Sequence, residues 1–168
     1  MKLEGGCHCG KVRFSVESNA PVPFLRCYCS ICRKTAGSGG YGVNLSAQFE
    51  TLRVSGGENV QTYQVEKRVT EHGAGAPDGE LSSSKRAFCG VCGAALWAYS
   101  PDWPDLVHPF ASVVETPLPV PPEYVHMMLD YKAPWVEVPS GLGHRHFARY
   151  PEESLEEWHR RHSLWEEP

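Results

Sequence analysis

Residues Gly5–Glu17 read GGCHCGKVRFSVE, and this stretch decides the fold. Its second half alternates: Val12, Phe14 and Val16 are apolar, while Lys11, Arg13, Ser15 and Glu17 are polar. A period of two belongs to a half-buried β-strand. Its first half sets Cys7 and Cys9 two residues apart, so that on an extended backbone both thiols project to one side. Gly5, Gly6 and Gly10 leave the backbone free to bend round an ion. Strand and metal half-site are continuous.

Similar short strand candidates, most bounded by Gly, Pro, Asn or Asp, lie outward from this stretch. Short strands are predicted over Tyr41–Leu45, Thr51–Ser55, Val60–Val65, Ala94–Ala98, Leu106–Val114 and Tyr124–Leu129. The chain carries 16 Gly and 14 Pro in 168 residues, a density that favours short strands and turns over long helices. Residues 66–84 are small and polar and predict a surface loop or long hairpin. The run Pro117–Pro122 lacks ladder donors and reads as an extended connector. One helix is predicted over about 152–166. Ser154-Leu155-Glu156-Glu157 is a capping box, and Leu155, Trp158, His159, His162 and Trp165 share one face. His159 and His162 have a spacing that could hold a metal, although the amphipathic face explains them as well. The expected architecture is a single mainly β domain spanning 1–168 with a C-terminal helix.

Seven cysteines fall into three clusters, Cys7-x-Cys9, Cys27-x-Cys29-x-x-Cys32 and Cys89-x-x-Cys92. A chain of this length buries roughly two thirds of its unfolded surface, so the cysteines are not needed as staples for a small core. Their odd count, their tight spacing and the lack of a hydrophobic N-terminal stretch point to reduced, metal-bound thiolates in the cytoplasm. Cys7, Cys9, Cys89 and Cys92 together make one closed four-thiolate zinc site, which contributes folding free energy. Cys27, Cys29 and Cys32 make a three-thiolate site with an open position, the arrangement of a catalytic zinc. Two alternatives for the triplet stand beside this: a second structural site completed by a His or carboxylate, or a metal-free redox dithiol. Arg26, Arg33 and Lys34 flank it and would lower thiol pKa values and attract an anionic substrate, unless they are ordinary solvated charges.

The net charge of −4 and pI near 6.1 give no basic footprint for nucleic acid. No apolar run reaches the roughly 18 residues of a membrane span. A small-molecule or protein partner is expected.

Gly6-Cys7-His8-Cys9-Gly10, the Cys27–Lys34 run followed by Gly37-Ser38, Phe88-Cys89-Gly90-x-Cys92-Gly93 and Lys132-Ala133-Pro134-Trp135 resemble the glutathione-dependent formaldehyde-activating enzyme (GFA) family, also called the CENP-V/GFA domain. The resemblance runs from about Glu4 to Trp135 and includes all seven cysteines in order and spacing. It implies several small coiled antiparallel sheets, similar to the zinc-binding Rab-GTPase chaperone fold. It implies two zinc ions per chain, a structural one on Cys7, Cys9, Cys89 and Cys92 and a catalytic one on Cys27, Cys29 and Cys32. It also implies a carbon–sulfur lyase that joins glutathione and formaldehyde as S-hydroxymethylglutathione, with Tyr28, Arg33 and Lys34 as candidate substrate-binding residues. Tyr28 stands where many members carry His. A non-catalytic zinc-binding interaction module of the same fold is the alternative, but such a module has no need of an open position.

Overall fold

The alternation along residues 11–17 forms a strand because it places Phe14 and Val16 on one face, where both are buried with Leu3 across the ladder. The computed structural model describes residues 1–66 and 80–167. In chain order its strands are β1 (Lys2–Gly6), β2 (Arg13–Glu17), β3 (Leu25–Cys27), β4 (Gly42–Val43), β5 (Ala47–Gln48) and β6 (Arg53–Ser55). They continue with β7 (Val60–Glu66), β8 (Leu81–Cys89), β9 (Ala95–Tyr99), β10 (Leu106–Pro109), β11 (Tyr124–Met127) and β12 (His144–His146). Two α-helices are described, α1 (Ser30–Thr35) and α2 (Leu155–Arg161).

Three sheets result. The first has the order β1-β2-β6 and the second β5-β10-β9-β8-β7, and both are antiparallel throughout. The third, β12-β11-β3-β4, is mixed, because β11 runs parallel to both β3 and β12. The expectation of small antiparallel sheets holds for two of the three. Strands β3 and β11 lie about a hundred residues apart, so no tight turn dictates their direction.

Leu3, Val12, Phe14, Val16, Leu45, Leu96, Trp97 and Val107 form the main core, and Phe14 meets Trp97 edge to face at 5.6 Å. Cys7 and Cys89 belong to the same core, so the first metal half-sites are anchored in its apolar packing. A second core gathers Val22, Phe24, Val125 and Trp158. There the Phe24 and Trp158 rings stack at 3.7 Å and seat α2 against β11.

Several expectations are corrected in detail. Ser82–Ser84, read as part of a surface loop or long hairpin, lie in β8 of a hairpin, where Ser83 shares its hydroxyl with Ser100 and Asp102 and Gln64 binds the Ser82 carbonyl. Strand β7 pairs with β8 as one hairpin, Glu66 facing Leu81; residues 67–79 lie outside the described residues. The strand predicted over Leu106–Val114 stops at Pro109, and Ala111–Val113 form a 3-10 turn. Helix α2 is shorter than its pattern. Ser154 caps it with the predicted reciprocal pair to Glu157, while Ser163, at φ 57°, turns the chain away before Trp165. Helix α1 and strands β1, β3, β5, β8 and β12 carry no clean periodicity and are seen only in the fold. The Pro117–Pro122 run contains no strand or helix. No helix among the described residues is long and apolar enough to cross a membrane.

Trp158 is fully buried, stacks on Phe24 and donates its indole N–H to Glu123 at 3.1 Å. Trp158→Ala is expected to lower the unfolding free energy by about 3–5 kcal/mol in denaturant titrations at matched metal content.

Candidate metal centres and functional site

Each half of the first cluster is a turn closed by a left-handed glycine. Gly10 N–H donates to the Cys7 carbonyl at 3.1 Å and Gly93 N–H to the Cys89 carbonyl at 2.8 Å. Gly10 and Gly93 share a φ of +74°, and a Cβ at either position would meet nothing within 4 Å. Backbone conformation, not crowding, therefore requires glycine there. The two turns bring Cys7, Cys9, Cys89 and Cys92 together with all four sulfurs within 4.8 Å of one another. Cys7 and Cys9 sulfurs stand 3.5 Å apart, and those of Cys9 and Cys89 3.8 Å.

A zinc tetrahedron with Zn–S bonds of about 2.3 Å has edges of about 3.8 Å, so this donor set fits. Backbone amides add to the fit. Val12 N–H donates to the Cys7 sulfur at 3.2 Å, and amides of Ala94 and then Cys9 help bring the Cys92 thiol down to about 6.

Cys27, Cys29 and Cys32 form the second cluster, all buried, with sulfurs again within 4.8 Å of one another. Cys27 ends β3, and Cys29 caps α1 by accepting from the Cys32 amide at 3.3 Å. Without a cation the triplet concentrates charge on one sulfur. Hydrogen bonds from Cys27 and Cys29 hold Cys32 well below the usual thiol range, helped by Arg86 and Asn44. Hydrogen bonding to Cys29 and Cys32, together with burial, pushes Cys27 well up. For Cys29 the bond from Cys27 pulls down, but the Cys32 thiolate and burial outweigh it and leave the thiol at about 11. Full ionisation therefore requires a neutralising cation. Three soft donors fit zinc with one position left over.

The surroundings differ from those expected. Cys27 and Cys29 point one way along an extended segment, so Arg26 and Tyr28 point the other. Arg26 stacks on the rings of Tyr41 and Tyr124, at 5.0 and 4.4 Å from their centroids. Tyr28 is fully buried, and its hydroxyl shares a 2.8 Å hydrogen bond with His126 Nδ1, so it lines no space a substrate could enter. Lys34 is exposed on α1, and the Arg33 Nε is buried without a hydrogen-bond partner.

The cation next to the triplet is Arg86, on β8. Its Nη2 stands 3.7 Å from the Cys32 sulfur, and Asn44 Nδ2 approaches the same sulfur at 3.8 Å. A charged residue in a half-buried strand three places before a ligand cysteine was the available signal, but its partner lies 54 residues away. The Tyr150 hydroxyl also feels the triplet. Desolvation first, then the charges of the three cysteines, push its hydroxyl up to about 12, so it stays protonated at neutral pH. Both nitrogens of His159 are engaged, Nδ1 with the Leu155 carbonyl and Nε2 with the Val22 amide, so it is a core histidine and not a ligand.

Two thiol clusters that could each hold a metal ion, a half-exposed one of four sulfurs and a buried one of three, are mounted on small sheets and define a class of cysteine-cluster β protein. The chain belongs to the glutathione-dependent formaldehyde-activating enzyme family, whose model matches residues 2–129. A Halomonas elongata protein provisionally named as a glutathione-dependent formaldehyde-activating enzyme is 54% identical over 166 residues, covering 99% of each chain. A crystal structure of a Rhodobacter sphaeroides protein is similar at a TM-score of 0.50 and 30% identity, covering 71% of this chain and 92% of that one.

Cys89→Ser breaks a cluster rooted in the main core and is expected to unfold the domain or lower its melting temperature sharply. Cys29→Ser should leave a folded protein that holds one metal equivalent fewer, by elemental analysis under reducing conditions. Equal loss of folding in both would mean that the triplet is structural too.

His126 is fully buried, with hydrogen bonds to Tyr28 and His144, and burial first, then the charge of Arg26 and the neighbouring His146 and His144, lower its pKa to about 4. The unfolded chain, with an ordinary His near 6.5, takes up the proton first as pH falls. The stabilisation is complete above about 6.5 and is lost between there and about 4, on the order of 1–3 kcal/mol. Denaturant titrations across that range should show this slope in the wild type and a flatter one in His126→Gln.

Proposed function

We propose that the protein is a zinc-dependent carbon–sulfur lyase of the GFA type, forming or cleaving the adduct of a thiol and an aldehyde. The leading pair is glutathione and formaldehyde, with S-hydroxymethylglutathione as the adduct. The observation that carries this reading is the triplet: three buried sulfurs within 4.8 Å of one another, one donor short of a closed four-thiolate set. The shared family and the provisional name of the Halomonas elongata relative support it.

In this reading Cys27, Cys29 and Cys32 hold a catalytic zinc, and Cys7, Cys9, Cys89 and Cys92 hold a structural one. Bound zinc supplies Lewis-acid charge that favours the thiolate form of a substrate thiol. The reaction is redox-neutral: a sulfur–carbon bond forms, the carbonyl π bond opens, and the thiol proton ends on the new hydroxyl. The protein's own groups arrange the charges. Asn44 and Arg86 donate toward Cys32 and fix it, and the buried position of all three cysteines limits access by water. The partners are small molecules rather than nucleic acid or membrane, and reduced thiol clusters suit the cytoplasm.

Adduct formation followed by mass spectrometry or carbon NMR should be accelerated by the metal-loaded protein over the spontaneous reaction. Cys29→Ser, or prior chelation, should return the rate to the spontaneous one. A fully loaded protein that accelerates nothing with glutathione and formaldehyde would remove this reading.

A further inference from the structure

The guanidinium of Arg86 is only partly accounted for by Cys32. Nη2 approaches that sulfur at 3.7 Å, but Nε and Nη1 are buried without a hydrogen-bond partner. A buried cation with unpaired donors is costly, and strong acceptors such as carboxylate oxygens relieve that cost most fully. Arg86 also lines a recess of about 300 Å³, whose walls include Phe88, Ala95, Phe110, Tyr63 and Thr35. None of the residues lining it is acidic, so the wall supplies no counter-charge. A concave, largely apolar space with one convergent charged group is the usual form of a small-molecule subsite. Thr35 closes α1, the helix that carries Cys32, so the recess lies alongside the triplet.

We propose that this recess binds a carboxylate of the substrate thiol through the free N–H groups of Arg86, making mercapto acids the preferred thiol class. The inference rests on the reading that the triplet takes a thiol at its open position. It transfers to Arg86 the anion-binding role that sequence spacing gave to Arg33 and Lys34. Phe110 faces the guanidinium at 5.8 Å and helps hold its plane. His108 leaves the charge unchallenged: burial keeps it neutral, and its Nδ1 is engaged by the Leu45 carbonyl at 3.0 Å.

The test is equilibrium binding to the full-length, metal-loaded protein by titration calorimetry, with mercaptopropionate and mercaptoethanol as probes. The wild type should prefer mercaptopropionate by about tenfold or more. Acetate should weaken the binding of mercaptopropionate and leave that of mercaptoethanol unchanged. Arg86→Met should bind both thiols alike at unchanged metal content. If that variant fails to load metal, Arg86→Lys retains the charge beside Cys32 and should lose at least about threefold of the preference with its planar donor fork. No preference in the wild type, no binding of either thiol, or a preference that survives both substitutions overturns the proposal. A carboxylate preference in a protein that does not turn over formaldehyde keeps the subsite and removes formaldehyde. Turnover of glutathione without that preference does the reverse.

Discussion

Like charge held at close range governs this structure. Sulfurs packed within 4.8 Å of one another in each of two clusters cannot all ionise unless a cation sits among them, yet as neutral thiols they make only weak hydrogen bonds. The surrounding fold answers that constraint in two ways. In the four-sulfur cluster, paired glycine turns aim backbone amides at the thiolates and root two of the four cysteines in the main core. In the triplet, side chains take over: Arg86 and Asn44 reach Cys32 from β8 and from beside β4. The first cluster leans on backbone amides, while the triplet adds the side-chain donors of Arg86 and Asn44 to the one amide that Cys29 receives from Cys32.

Local patterning made the skeleton legible. Short strand-like runs located β2, β4, β6, β7, β9, β10 and β11 to within a few residues, and in β2 and β10 burial alternates along the strand. The capping box located α2 because both of its hydrogen bonds are made within four residues. The cysteine spacings sorted seven sulfurs into the two groups that the fold assembles. What stayed hidden depends on contacts between distant segments. Strand β3 is defined by parallel pairing to β11, and α1 is a single short helix wrapped round its own sulfurs. The charged surroundings of the triplet were only partly legible for the same reason. Closeness in sequence singled out Arg26, Arg33 and Lys34, but strand parity turns Arg26 away and a distant strand supplies Arg86.

Tyr28 shows how one residue's direction changes its meaning. Between two cysteines it reads as a substrate contact, yet its burial beside Ala133 and Val136 and its bond to His126 make it a strut under the loop that carries the sulfurs. His126 in turn meets His144 at 2.9 Å and stacks on His146, so the strut continues into β12.

That continuity has a consequence for the chain beyond the family match, which ends at residue 129. Phe147 packs on the apolar side of the triplet, Arg149 accepts from the Met128 amide at 3.0 Å, and the charges of the three cysteines act on Tyr150. The cysteine clusters and part of what packs against the triplet are thus written in separate stretches of sequence. Substitutions in the tail can reshape the surroundings of the triplet without touching a single cysteine.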